Sequence, residues 1–124
     1  MQAALLYGGS AAIALWGIGH LIPTRNVVSG FGPISKENAR IITMEWLIEG
    51  LTLCFLGILV ALTAALFGLE VGATHFVARA CALMLLVLAV VSSFTGARTS
   101  ILPMKLCPYV KSAVAVAFLS ATIL

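Results

Sequence analysis

Between Ile41 and Phe67 the chain carries only two charges, Glu45 and Glu49, in a stretch otherwise suited to hydrocarbon. A bilayer core of about 30 Å is crossed by roughly 20 apolar residues in a helix, so this run alone commits the chain to a membrane unless a large soluble core surrounds it. With 124 residues, 62% hydrophobic and 9% charged, no such core can be built. Three further runs have the same character. Ala3 to Ile22 ends at Pro23, which cannot continue a helix without losing a hydrogen bond. Phe76 to Ala97 forms the third, and Tyr109 to Leu124 a shorter fourth with Pro108 as its first helical residue. The expected fold is all-α: one transmembrane domain, residues 1–124, in which four helices near 3–22, 36–67, 76–97 and 109–124 form a bundle.

The second helix is expected to start before the membrane does, because Ser35 is a natural N-cap and Glu37 places an anion at the positive end of the helix dipole. No Lys or Arg precedes Arg25, so the first run reads as a retained helix and not a signal peptide. Basic residues cluster in the first loop (Arg25, Lys36, Arg40) and around the third (Arg98, Lys105, Lys111), whereas the second offers Arg79 beside Glu70. The positive-inside bias then places loops one and three in the cytoplasm and both termini outside.

The seven Lys and Arg form no tract with interleaved aromatics, so no nucleic-acid partner is expected. Cys54, Cys81 and Cys107 lie far apart with no C-x-x-C pair, and His75 falls in the loop opposite His20. Neither a metal site nor a haem or other cofactor is expected from so few convergent ligands. The glycine-rich Val28 to Pro33 matches no phosphate-binding pattern and reads as a turn or re-entrant segment.

Glu45 and Glu49 are one helical turn apart and share a face with Thr52. At about 1.5 Å per residue from Ile41, Glu45 lies roughly 6 Å and Glu49 roughly 12 Å into the core. Glu45 has two open roles, a first-turn carboxylate reaching water or Arg40, or one half of a carboxylate pair. Glu49 is deep enough that an ionisable group there costs about 2.5–3.5 kcal/mol and normally faces a bundle interior. His20 lies near the same end of the first helix, and Ser92, Thr95 and Arg98 near that end of the third. Together they outline a cytosol-facing pocket in which Glu45, Glu49 and His20 handle protons, two carboxylates in low dielectric sharing one proton between them. Trp16, Trp46, Thr52, Ser92, Thr95 and Arg98 are the candidates to contact a ligand, and Arg98 to gate it.

The motif G-I-G-H at Gly17 to His20, followed by P-T-R, F-G-P and M-E-W-L-I-E-G at Met44 to Gly50, resembles the small bacterial membrane proteins grouped around the DoxX-like families. In plan it is also similar to the EXPERA domain of sterol isomerases and sigma-2-type proteins. In the isomerases, acidic and histidine side chains within the membrane transfer protons on a lipophilic substrate. That resemblance implies such a role for His20, Glu45 and Glu49.

Three functions are compatible with these residues. The first is a protein that binds, and as an enzyme transforms, a small lipophilic molecule. The second is a proton-coupled exporter, and the third a non-catalytic subunit whose glutamates meet a partner's cations. Membrane lipid and a second copy of the chain are the expected neighbours. The small residues Gly50, Cys54, Gly57, Ala61 and Ala65 recur every three or four positions, the spacing of close helix packing, and mark the expected dimer face.

Overall fold

The computed structural model describes residues 1–124 and contains helices and turns but no strand. Four helices are long and apolar enough to cross a membrane, the character of an integral membrane protein built as a helical bundle. They are α1 (Gln2–Leu21), α3 (Lys36–Phe67), α4 (Gly72–Phe94) and α5 (Leu102–Ala121). Between α1 and α3 lies a short helix, α2 (Thr24–Ser29), and a 3-10 turn, Gly96–Arg98, joins α4 to α5.

The bundle is an antiparallel ring in which α1 packs chiefly on α3 and also on α5, while α4 packs chiefly on α5 and also on α3. Gln2 ties one end together, its amide nitrogen lying 3.1 Å from the Ala121 carbonyl, 3.4 Å from that of Leu69 and 3.2 Å from His75 Nε2. Arg79 reinforces that end through Thr122, donating to its hydroxyl and its carbonyl at 3.0 and 3.1 Å. The opposite end carries α2, the start of α3, the 3-10 turn and the start of α5, and with them Arg25, Lys36, Arg40, Arg98 and Lys105.

Packing inverts the pattern of a soluble bundle. Leu6, Ile13, Leu53, Val60, Leu85 and Phe118 fill the centre, yet Phe55, Leu62, Leu66, Phe76 and Leu83 are exposed on the outside. An outer surface so apolar is the kind that membrane-spanning helices present.

Several local elements depart from the sequence expectation. Pro23 both ends α1 and caps α2, and Thr24–Ser29 winds one further turn before Gly30 and Gly32, the latter at φ +73°, stop it. The fourth helix begins at Leu102 and not at Pro108, because Pro103 occupies the first turn, where a missing N–H costs nothing. Pro108 is interior and forfeits one backbone bond, but α5 gains the length, about 30 Å, to span a bilayer core. The third helix stops at Phe94, where the Thr95 hydroxyl bonds back to the Val91 carbonyl at 2.7 Å and the backbone turns at Gly96.

At the head of α3 the Ser35 hydroxyl accepts from Asn38 N–H at 3.1 Å, a side-chain cap on a helix that at about 48 Å exceeds the membrane core. Ser35→Ala is expected to cost about 1 kcal/mol. Hydrogen exchange is expected to rise in the first turn of α3 and to stay unchanged beyond Arg40.

The small-residue stripe is used inside the chain. Gly50 and Gly57 lie against α1, where a β-carbon on Gly50 would sit 3.0 Å from the Gly17 carbonyl oxygen and one on Gly57 would sit 2.5 Å from that of Ser10. Cys54 Sγ donates to the Ala14 carbonyl at 3.4 Å. The α1–α3 contact thus occupies three of the five positions of the stripe expected at a dimer face.

Candidate functional site

Lys111 is the largest fully buried side chain in the protein. On α5 it stands one turn beyond Cys107, and the face they share continues through Val114, Ala115 and Phe118, all buried. An ammonium in such a place requires compensation, because burying an unpaired charge is prohibitive. Lys111 Nζ donates to Glu49 Oε1 at 2.5 Å and to Ser92 Oγ at 2.7 Å, and Ser92 donates in turn to the Leu88 carbonyl at 2.7 Å. Three helices thus contribute one side chain each to a network of a buried ammonium, a half-buried carboxylate and a half-buried hydroxyl.

Glu49 Oε1 is its centre. Besides Lys111 it lies 3.8 Å from His20 Nε2 and 3.9 Å from Cys107 Sγ. The donor atoms of His20, Glu49 and Cys107 all lie within 4.8 Å of one another, a convergence of possible metal ligands where sequence spacing suggested none.

His20 is 5% exposed and is clamped by its own neighbours. The Trp46 indole stacks on it with ring centroids 5.1 Å apart, Trp16 lies at 6.3 Å, and Trp46 Nε1 donates to the His20 carbonyl at 2.5 Å. His20 Nδ1 stands 3.2 Å from the Trp16 carbonyl. A carbonyl only accepts, so this contact puts a proton on Nδ1, and in the neutral ring the lone pair is then on Nε2, on the cluster side. Nε2 is buried without a hydrogen-bond partner, as is Trp16 Nε1.

Beside the cluster is a cavity of about 970 Å³, bounded by the end of α1, by α2, by Trp46 and by the first turns of α5. Its walls are largely apolar, including Val27, Phe31, Leu102 and Leu106, and His20 is the ionisable side chain on its surface. A size near the upper end of ordinary ligand sites, with few polar groups, suits an apolar guest.

Of the residues singled out from sequence, the structure brings together His20, Glu49 and Ser92 in the polar network, and His20, Trp16 and Trp46 on the cavity. Glu45 is exposed and takes no part in either, nor does it pair with Arg40. The carboxylate pair is therefore replaced by a carboxylate–ammonium pair: the close partner of Glu49 comes from α5, not from the preceding turn of α3. Arg98 does not reach the cavity; it is exposed, with its guanidinium 5.5 Å from the centroid of the Phe94 ring. Thr95 is spent on capping α4, and Thr52 is half-buried with no side-chain hydrogen bond.

Lys111 and Cys107 were missed. The available signal was their spacing of four, continued by Ala115 and by Phe118, within an apolar run. Starting the helix at Pro108 places Lys111 at a helix mouth, where a lysine needs no explanation.

No family model matches the sequence, and comparison with curated proteins and with solved structures likewise returns no match.

Proposed function

We propose that this integral membrane protein binds a small lipophilic molecule in the cavity beside α1, α2 and α5 and handles a proton on it through His20. The observation that carries this reading is the double position of His20, on the cavity surface and 3.8 Å from Glu49. In the proposed step the imidazole accepts a proton from a bound molecule, and the carboxylate 3.8 Å from its Nε2 stabilises the imidazolium that results. Lys111 fixes the Glu49 side chain by its hydrogen bond, while the Trp16 carbonyl and the Trp46 ring hold the imidazole in place before the ligand arrives. The carboxylate finds its cation within its own chain, which supports this reading over one in which a partner subunit supplies that charge. The cavity, too, is lined by helices of a single copy.

The basic residues gathered at the cavity end support a cytoplasmic orientation for it, with Gln2 and Ala121 at the outer face of a bacterial inner membrane. Lipid-soluble molecules would reach the cavity from the inner leaflet. The class of transformation best suited to a lone imidazole base and its carboxylate is proton transfer at carbon, as in double-bond isomerisation.

Photolabelling tests this. An aliphatic diazirine probe, applied to the protein in nanodiscs, is expected to attach saturably to peptides carrying Trp16, Phe31 and Leu106. Gly19 lies on the cavity, and a β-carbon there meets nothing within 4 Å. Gly19→Leu should therefore fill the cavity without disturbing the fold and weaken saturable labelling roughly tenfold or more, the equivalent of about 1.4 kcal/mol. Labelling spread evenly over the outer helix faces and indifferent to Gly19→Leu would defeat the proposal.

A further inference from the structure

We propose that Cys107 and His20 together form a binding site for a soft monovalent metal ion, copper(I). The inference goes beyond the ligand reading and does not depend on it: the two share His20, but the metal would sit on the cluster side of its ring and needs no occupant in the cavity.

Two independent observations converge. The donor atoms of Cys107, His20 and Glu49, from three different helices, lie within 4.8 Å of one another. An ion bonded to sulfur and nitrogen at roughly the 2.0–2.3 Å of zinc sites bridges atoms up to about 4.6 Å apart, a span comparable with the 4.8 Å within which these atoms lie. Separately, His20 is 5% exposed, and its Nε2, which carries the lone pair of the neutral ring, is buried and makes no hydrogen bond. Its other nitrogen bonds to a backbone carbonyl, the second-shell contact that usually fixes the tautomer of a ligating histidine.

Charge selects the ion. Glu49 and Lys111 already form a neutral pair. On metal binding Cys107 gives its proton to solvent, an S–metal and an N–metal bond form, and no electron moves. The thiolate adds one negative charge, which a monovalent ion cancels, whereas a divalent ion leaves one positive charge uncompensated in a low-dielectric interior. Thiolate with imidazole is also the donor set that soft copper(I) prefers. Glu49 remains with Lys111, its oxygen 3.8–3.9 Å from both ligands, as a neutral wall of the site and not as a third ligand.

The test is an anaerobic titration of the detergent-purified protein with copper(I) held by a chromogenic chelator. One copper per chain should be withdrawn from the chelator, zinc should not displace it, and Cys107→Ser should weaken binding by more than the roughly 10–100-fold that follows loss of a merely supporting group. Cys54→Ser/Cys81→Ser, which keeps Cys107 as the remaining thiol, should still bind one copper. X-ray absorption of that copper-loaded variant should show one sulfur and an imidazole, a readout that stands even where Cys107→Ser fails to fold. No withdrawal of copper, copper retained in Cys107→Ser, copper lost from Cys54→Ser/Cys81→Ser, an absent imidazole signal, or displacement by zinc would each overturn the proposal. None of these outcomes bears on photolabelling of the cavity, so the two readings fail separately.

Discussion

Glu49→Leu is expected to cost about 3–5 kcal/mol of folding stability, the range for breaking a buried ion pair by removing one partner. Lys111→Met should cost less, about 1–3 kcal/mol, the scale for leaving one buried group unsatisfied. The asymmetry follows from exposure. Removing the carboxylate strands an ammonium whose side chain is 1% exposed, with only Ser92 Oγ left to receive it. Removing the ammonium strands a carboxylate that is 32% exposed and can turn toward water or take up a proton. The double variant Glu49→Leu/Lys111→Met should be more stable than Glu49→Leu alone, because an apolar pair replaces a lone buried charge. Reversible unfolding in mixed detergent micelles, followed by the fluorescence of Trp16 and Trp46, reads all three. Equal losses in the two single variants would remove the asymmetry, and a double variant whose loss is their sum would show that the 2.5 Å contact contributes little to holding α3 and α5 together.

The membrane class was legible because it depends on composition and run length, which no tertiary contact can reverse. Placing His20, Glu49 and Ser92 at one level was legible too, since helix ends fix depth once the loops are located. Depth does not fix direction. Glu45 and Glu49 have the same helical phase, yet Glu49 meets Lys111 while Glu45 stays exposed, and only the position of α5 decides between them. That position was obscured by Pro108. A proline is compatible both with the first turn of a helix and, at a cost, with its interior, and choosing the first turn removed Cys107 from the helix and left Lys111 at its mouth. The metal-ligand cluster vanished from view with them, because its thiol belongs to α5.

The stripe on α3 illustrates a different limit. Small residues at Gly50, Cys54 and Gly57 announce a close approach of some helix, and the spacing is identical whether that helix is another copy or a neighbour in the same chain. The matching signal lay in α1, where Gly9, Ser10 and Gly17 supply small residues at compatible intervals. Ser10 and Gly17 face Gly57 and Gly50 across the interface.

That interface carries the second large effect. A β-carbon at Gly17 would stand 2.6 Å from the Gly50 carbonyl oxygen, 2.7 Å from Cys54 Sγ and 2.8 Å from the Cys54 backbone nitrogen. At Gly57 it would stand 2.5 Å from the Ser10 carbonyl oxygen and 2.8 Å from Ile13 Cγ2. The closest obstacles are backbone atoms, which cannot rotate aside, so even one methyl group must push α1 off α3. Gly17→Ala and Gly57→Ala are each expected to lose about 1–3 kcal/mol, and valine at either position should prevent native packing. Gly8→Ala and Gly19→Ala are the controls. Nothing lies within 4 Å of a β-carbon at those positions, so the substitutions should fall within about 0.5 kcal/mol of the parent. The dependence on protein concentration then locates the interface. A contact between copies would make the loss shrink as the protein is concentrated, by mass action, whereas a contact inside one chain makes it constant. Constancy is the expected result. Gly17→Ala should in addition disturb the stack of Trp46 on His20, since a displaced α1 carries His20 with it one turn further on. A loss that varies with concentration would return the stripe to a contact between copies, and fluorescence unchanged in a destabilised Gly17→Ala would separate the packing of α1 on α3 from the placement of His20 and leave the histidine to be positioned by its tryptophans alone.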